Sequence, residues 1–323
     1  METNMLNVGI IGCGGIGMTH ARAYAKLANV KLAAMIDFNF ELAQKAAAQF
    51  GAQAFRSIDE CDIKLDLVSV VTPPSTHFKV VMDLLERGIP VFCEKPITMD
   101  IEQAKLLKKK SEETGIPIGV GFKMRNEAVF AKAKELIGEV GRILAVSVVK
   151  NQPQSPNPAK AWVKDTGCMY ELSVHDYDLI HYIMGAYPVS VEARLGYRHG
   201  WNREDQAYLT VEYDNGAIGQ LMSAYTTTAS WTYQDIAITF VGENGYMRVE
   251  RPNRIVLATD TQRVVEVTPL DGEEPFRIEL EGFVNSLLNK THFHPDVHDG
   301  VVTTVLVESA NRSHREGKVI AIQ

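Results

Sequence analysis

The sequence predicts a two-domain α/β chain. A Rossmann-type doubly wound parallel sheet comes first, followed by an α+β domain built on a large, mostly antiparallel open sheet. Three observations carry this expectation. Apolar runs alternate with helical patterns through the first third, a glycine-rich loop directly follows the first apolar run, and after about Phe122 the pattern changes to alternating strands joined by tight turns. With 323 residues the chain is long enough for two cores of ordinary size.

In order, the first third reads as the strand LNVGIIG, an alanine-rich helix from about Met18, the strand VKLAAMID and the helix FELAQKAAAQF. The strands LDLVSVV and PVFCE follow, with the amphipathic FKVVMDLLERG between them, and then the helix IEQAKLLKKKSEETG and the strand PIGVGF. Such alternation implies right-handed crossovers and therefore parallel pairing, which sets the first domain at residues 1–121. Residues 122–323 begin with one helix, the strand RILAVSVVK, the loop NQPQSPNPAK and a second helix. AYLTVEYDNGAIGQLMSAYTT predicts a hairpin turning at Asp214, Asn215 and Gly216, because that turn takes residues that tolerate positive φ. DIAITFVGENGYMRVE repeats the pattern, turning at Glu243 to Gly245.

Hydrophobic residues at 46% and charged residues at 23% give a globular balance with no transmembrane run. A net charge of -7 excludes a general affinity for nucleic acid, which requires clustered basic side chains; the one basic block, Lys105 to Lys110, reads as a solvated helix face. The amino terminus has no basic region before its apolar run and no small-residue cleavage site, so the expected location is the cytoplasm. Cys13, Cys61, Cys93 and Cys168 have no spacing that suits a disulfide framework or a zinc site and are expected reduced.

GCGGIG fits G-x-G-x-x-G at Gly12, Gly14 and Gly17, with Gly15 and Ile16 in the same cradle. At the end of the first strand of a βαβ unit, these residues allow a tight turn and a close backbone approach to a pyrophosphate resting on a helix N-terminus. The second strand ends in Asp37, placed to accept hydrogen bonds from a ribose diol and to repel a 2′-phosphate, and no Arg follows to receive one. NAD is therefore expected over NADP, although a helix-capping Asp suits the same position. A further strand end, VFCEKPIT, sets Glu94 and Lys95 before Pro96, which restricts the lysine backbone and aims its side chain; a cis Lys95–Pro96 bond is expected there.

CMYELSVHDYDLIHYIMG reads as one helix stopping at Gly185. At about 100° per residue, Glu171, His175, Asp178 and Tyr182 fall within about 60° of one another and form a single polar stripe on an otherwise apolar helix. An imidazole beside two carboxylates is a candidate acid–base device, and a lysine ammonium can stabilise an oxyanion.

These residues together resemble the Gfo/Idh/MocA family of oxidoreductases, a likeness that runs through VGIIGCGGIGMTHARAY, SVVTPPSTHF, VFCEKPIT, TGCMYELSVHDYD, EYDNGAIG and GVVTTVLVESANRSHREGKVI. The resemblance implies catalytic roles for Lys95 and His175, a cofactor bordered by Thr72, Pro73, His77 and Glu94, and a homodimer or homotetramer formed through the second-domain sheet. Many inositol-type members carry Asp one helical turn before the histidine. Here Glu171 stands in that place, extending the carboxylate roughly 1.5 Å further, about one C–C bond.

Other positions stay open. Arg125 either resembles a substrate-side family position or starts a helix on the surface, and Trp162 either covers a sugar face or anchors its loop. His292, His294 and His298 lack the spacing of a metal site, so no metal is expected, and they read as a hydroxyl-binding loop. The expected activity is NAD-dependent oxidation of a secondary alcohol of a sugar, sugar acid or cyclitol. His175 would act as base, Lys95 would hold the oxygen, and Glu171 would orient the histidine or a neighbouring hydroxyl. A redox-neutral NAD-assisted lyase or glycosidase, or a non-catalytic sensor, is the alternative.

Overall fold

A computed structural model describes residues 5–154, 162–226 and 234–322. Its first sheet holds β1 (Leu6–Ile11), β2 (Val30–Ile36), β3 (Gln53–Phe55), β4 (Leu67–Val70), β5 (Val91–Glu94) and β6 (Ile118–Gly121). All pairs are parallel in the order β3-β2-β1-β4-β5-β6, the doubly wound arrangement. Strands buried on both faces explain why each read as an uninterrupted apolar run. Only β3 escaped notice, because three residues are too few to show a pattern. Connecting helices are α1 (Gly15–Tyr24), α2 (Phe40–Phe50), α3 (Pro74–Glu86) and α4 (Ile101–Thr114). α4 is capped at its start by the Asp100 carboxylate, which accepts the Gln103 N–H at 2.8 Å, and stops at Gly115, whose φ of +69° suits glycine. α1 begins three residues before the expected Met18, since the glycine loop itself turns into the helix.

The second sheet has nine strands in the order β14-β13-β12-β11-β7-β10-β9-β8-β15. After α5 (Ala128–Leu136) come β7 (Ile143–Pro153), α6 (Val163–Cys168) and α7 (Val174–Met184). The remaining strands are β8 (Pro188–Gly196), β9 (Gln206–Tyr213), β10 (Ile218–Thr226), β11 (Asp235–Gly242), β12 (Gly245–Glu250), β13 (Arg254–Ala258), β14 (Gln262–Glu266) and β15 (Ile320–Ala321). All pairings are antiparallel except β7 with β10. Both hairpins turn where the sequence places them, the first with Gly216 at φ +82° and Ala217 N–H donating to the Asn215 side chain at 3.0 Å. β7 continues past the expected end at Lys150 because β10 and β11 pair with it on either side as far as Thr226 and Asp235. Period-two burial is plain in β9, where Ala207, Leu209, Val211 and Tyr213 are buried while Tyr208 is 53% exposed.

Two compact units result. Residues 1–123 and 271–301 form one, and residues 124–270 and 302–323 the other. The return segment contains α8 (Glu274–Asn289), whose Leu280, Phe283 and Val284 join the core of Val8, Ile10, Leu67 and Phe92. Phe283 lies 5.6 Å from Phe92 between ring centroids. Helix α9 (Val297–Glu316) starts in the first unit and ends in the second. Nothing local in the sequence announces that return; only the apolar stripe of α8 and its fit to the first core decide it.

Candidate active site

In the first unit, Gly12 sits at φ +104° with room for no side chain, since a Cβ would lie 2.7 Å from the Val71 carbonyl oxygen. A Cβ on Gly17 would meet the Gly12 carbonyl oxygen at 1.9 Å, so helix and strand approach as closely as glycine permits. Gly14 and Gly15 differ: nothing lies within 4 Å of a Cβ built on either. Gly14 is also the N-cap of α1 and makes no side-chain cap, which leaves the first-turn N–H groups of the helix to an anion. Ile16 is 44% exposed beside them.

Asp37 serves this loop directly, one carboxylate oxygen accepting the Cys13 N–H at 2.8 Å and the other the Asn39 N–H at 2.8 Å. It therefore fixes the start of α2 and the glycine loop together. Each oxygen retains a lone pair that a ribose hydroxyl can use. An open cradle at a helix N-terminus and a carboxylate at the end of β2 fit a dinucleotide.

β5 ends in Glu94, Lys95 follows it directly, and the Lys95–Pro96 bond is cis, as expected. The Glu94 Oε2 accepts the Lys95 N–H at 3.0 Å, while Oε1 lies 3.2 Å from His20 Nε2. Burial alone would raise this carboxyl, but the hydrogen bond and charge of His20, together with Lys95, outweigh it and hold the group below its ordinary value. A Cβ on Gly121 would sit 2.9 Å from the Glu94 carboxyl carbon, so the neighbouring strand makes way for it. His77 is buried, and its ring nitrogens lie 2.8 Å from the carbonyl oxygens of Pro96 and Thr72, so that it braces the two loops. Burial pushes its pKa below the usual histidine value although both carbonyls favour the protonated ring. Thr72 hydroxyl accepts from Thr76 at 2.7 Å, tying Thr72 and Pro73 to the start of α3.

In the second unit, the helix read as continuous from Cys168 opens with a π turn, and Gly167 stands just before it. Gly167 has φ +81°, and its missing Cβ is where the Glu204 carboxylate lies, 2.4 Å from that position. Glu204 accepts the Met169 N–H at 3.0 Å and starts a π turn, Met169–Ser173, that carries Glu171 into α7. Burial pushes the Glu204 carboxyl up to about 7. His175 is buried and Glu171 half-buried. Asp178 is not a proton-transfer group of an open stripe. It is buried in a two-pronged pair with Arg125, Nε to Oδ2 at 2.8 Å and Nη2 to Oδ1 at 2.5 Å, and the guanidinium carbon lies 4.8 Å from the centre of the Tyr182 ring. Arg125 is thus buried and not an exposed helix start. On the opposite face Lys150 Nζ meets Asp176 Oδ1 at 3.0 Å and the Leu172 carbonyl at 2.8 Å. Burial pushes Asp176 above its ordinary value against that lysine.

Trp162 is half-buried at the start of α6 and accepts the Thr166 hydroxyl through its carbonyl at 3.1 Å, while the loop before it, residues 155–161, lies outside the described residues. His292 and His294 are more than 60% exposed and pair with Asp296 at 2.9 Å and Asp299 at 3.5 Å, around the capped start of α9; His298 meets Lys108 at 3.3 Å. Sequence reasoning missed His20, Lys150, Glu204 and α8's Glu279. Of these only His20 had a local signal, three residues after the last loop glycine on the buried side of α1.

Comparison with known proteins covers nearly the whole chain. Residues 6–122 match the oxidoreductase family with an NAD-binding Rossmann fold, and residues 134–322 match its C-terminal alpha/beta domain. The chain belongs to the Gfo/Idh/MocA oxidoreductase family, and its cofactor is NAD. It is 26% identical over 327 residues to inositol 2-dehydrogenase of Rhizobium meliloti (strain 1021), covering 97% of this chain and 98% of that protein. It is 30% identical over 219 residues to UDP-N-acetylglucosamine 3-dehydrogenase of Acidithiobacillus ferrooxidans, covering 68% and 67%. Among solved structures, a putative myo-inositol dehydrogenase from Sinorhizobium meliloti 1021 superposes with a TM-score of 0.83 at 25% identity, covering 99% and 100%.

Proposed function

We propose that the protein is an NAD-dependent dehydrogenase acting on a secondary alcohol of a sugar, sugar acid or cyclitol. The observation that carries the reading is Lys95, set at the carboxyl end of β5 with its main chain clamped by Glu94, in a sheet whose glycine loop is open for a dinucleotide. When bound, NAD supplies the hydride acceptor. His175 takes the proton of the reacting hydroxyl, and the Lys95 ammonium donates to the oxygen from which that proton leaves. Glu171 holds the imidazole or a neighbouring hydroxyl. Arg125 and Asp178 neutralise each other and fix the orientation of α7, so that His175 is presented in one rotation. The inositol 2-dehydrogenase relatives, at 26% identity, favour a ring polyol, whereas Glu171 in place of the usual Asp favours a ring with a differently placed hydroxyl.

We further propose a homodimer or homotetramer through the outer face of the nine-stranded sheet, where Leu144, Tyr208, Ile218, Val241 and Val264 are each more than 40% exposed. Residence in the cytoplasm goes with four cysteines that form no disulfide. The activity is tested by screening NAD reduction across polyols, aldoses, amino sugars and sugar acids. Stoichiometric NADH with one class is the expected result, and product formed without NADH would overturn net oxidation in favour of an internal redox cycle.

A further inference from the structure

Between α8 and α9 the first unit carries a cluster that the proposed reaction does not use. His292 and His294 stand on either side of Phe293, and one ligand-type atom from each of His292, His294 and Asp296 lies within 4.8 Å of the others. The two imidazole rings meet edge to face with centroids 4.4 Å apart, and His292 Nε2 is 2.9 Å from Asp296 Oδ2. Helical spacing does not relate these histidines; a short loop with a fastened backbone does. Thr291 N–H donates to the Ser286 carbonyl at 2.9 Å, and the Phe293 ring packs at 5.1 Å from Phe283 and 6.3 Å from Phe92. Val120 N–H donates to the Pro295 carbonyl at 3.0 Å, and Asp296 forms an antiparallel bridge with Gly119. Burial of Phe293 between them leaves both imidazoles exposed.

The side chains are oriented from behind as well. Asp296 Oδ1 accepts the His298 N–H at 2.8 Å, which fixes the carboxylate with Oδ2 toward His292. Asp299 Oδ2 accepts the Asp296 N–H at 2.9 Å and lies 3.5 Å from His294 Nδ1, close enough to orient that ring. A carboxylate beside an imidazole, and a ligating carboxylate that is itself hydrogen-bonded, are the outer supports that metal sites use. Neighbouring donors around a cation with bonds of about 2.1 Å stand roughly 3 to 3.4 Å apart, so the His292–Asp296 pair needs little opening to admit one. We propose that His292 Nε2, a ring nitrogen of His294 and Asp296 Oδ2 bind a divalent cation of the zinc class, for which two imidazoles and a carboxylate are a suitable donor set. The cation stands where His292 now pairs with Asp296, and it offsets the negative charge that Asp296 and Asp299 bring to one loop. Three protein ligands leave the remaining coordination to water. His298, turned to Lys108 Nζ at 3.3 Å, stays outside the set.

The site is independent of the reaction at Lys95, and its test needs no turnover. Zinc is titrated calorimetrically into the whole reduced protein, stripped of metal and then of chelator, and cobalt(II) serves as the spectroscopic probe. A single equivalent of zinc should bind with micromolar affinity, and His292→Gln and His294→Gln should each weaken it on the order of tenfold or more, since even an outer-shell change costs about that much. The visible absorption of bound cobalt should be lost in both. Zinc should raise the melting temperature of the unaltered protein and not that of the double variant, because only a ligand bound by the native state shifts unfolding. Both imidazoles are exposed, so the metal-free variants should melt with the unaltered protein. Cys61→Ser, which removes the half-buried thiol, should bind zinc as before. Uptake only at millimolar zinc, equal uptake by the double variant, or loss of binding in Cys61→Ser alone overturns the site.

Discussion

The glycine loop and the α6–α7 segment present their chemistry by different means. At the loop the main chain acts: Gly12 and Gly17 permit contacts that any Cβ would block, and Gly14 and Gly15 leave helix N–H groups open. At α6–α7 buried charge acts, with Arg125 on Asp178, Lys150 on Asp176 and Glu204 on the first peptide of the π turn. A main-chain site tolerates changes in side chains so long as glycines stay. A site held by buried ion pairs fails when either partner is removed, because the other is left charged in a poor solvent.

That contrast orders the predictions. His175→Ala should lower kcat by roughly 10² to 10⁴, the range for loss of a positioned acid–base group, while NADH fluorescence shows cofactor binding intact. Asp178→Ala strands the Arg125 guanidinium and should cost about 3–5 kcal/mol of stability in denaturant unfolding. A cost below about 1 kcal/mol would show that the pair does not pin α7.

Glu204 makes the contrast pH-dependent. Its carboxyl is pushed from 4.5 up to about 7 by burial, so the native state holds a proton that the unfolded chain has released. Its contribution is fully present below pH 4.5 and is lost as pH rises through about 7, a change on the order of 3 kcal/mol. Glu204→Gln keeps an acceptor for the Met169 N–H without the charge. Melting curves between pH 4.5 and 8 should therefore fall less steeply in the variant, and parallel curves would remove Glu204 as the source. Smaller effects belong to the loop. Asp37→Ala should narrow the preference for NAD over NADP by removing repulsion of a 2′-phosphate, read as the ratio of kcat/KM. Glu171→Asp should alter the ranking of substrates more than the rate on the best one.

The same contrast explains what the sequence could tell. GCGGIG, VFCEKPIT and the DNG turn were legible because each acts through neighbours in the chain, where residue type dictates backbone conformation. The supports of the second unit were not. Arg125 finds Asp178 across 53 positions, Lys150 finds Asp176 across 26, and Met169 finds Glu204 across 35. His20 reaches Glu94 across 74. Helical spacing put Asp178 on the stripe with Glu171 and His175, yet spacing could not show that its carboxylate is spent on an arginine. Nor could it show that a π turn opens the helix, since that depends on where a glutamate from a later loop comes to rest.

The central claim is that Lys95 and His175 act on one hydroxyl. A crystal structure of the protein with NADH and a polyol identified by the substrate screen tests it most directly. The reacting hydroxyl oxygen should lie within about 3 Å of both the Lys95 Nζ and a ring nitrogen of His175, the reach that proton transfer requires. A polyol bound with its hydroxyl on Lys95 and the imidazole out of reach, with no water joining them, would contradict the assignment of His175 as the base.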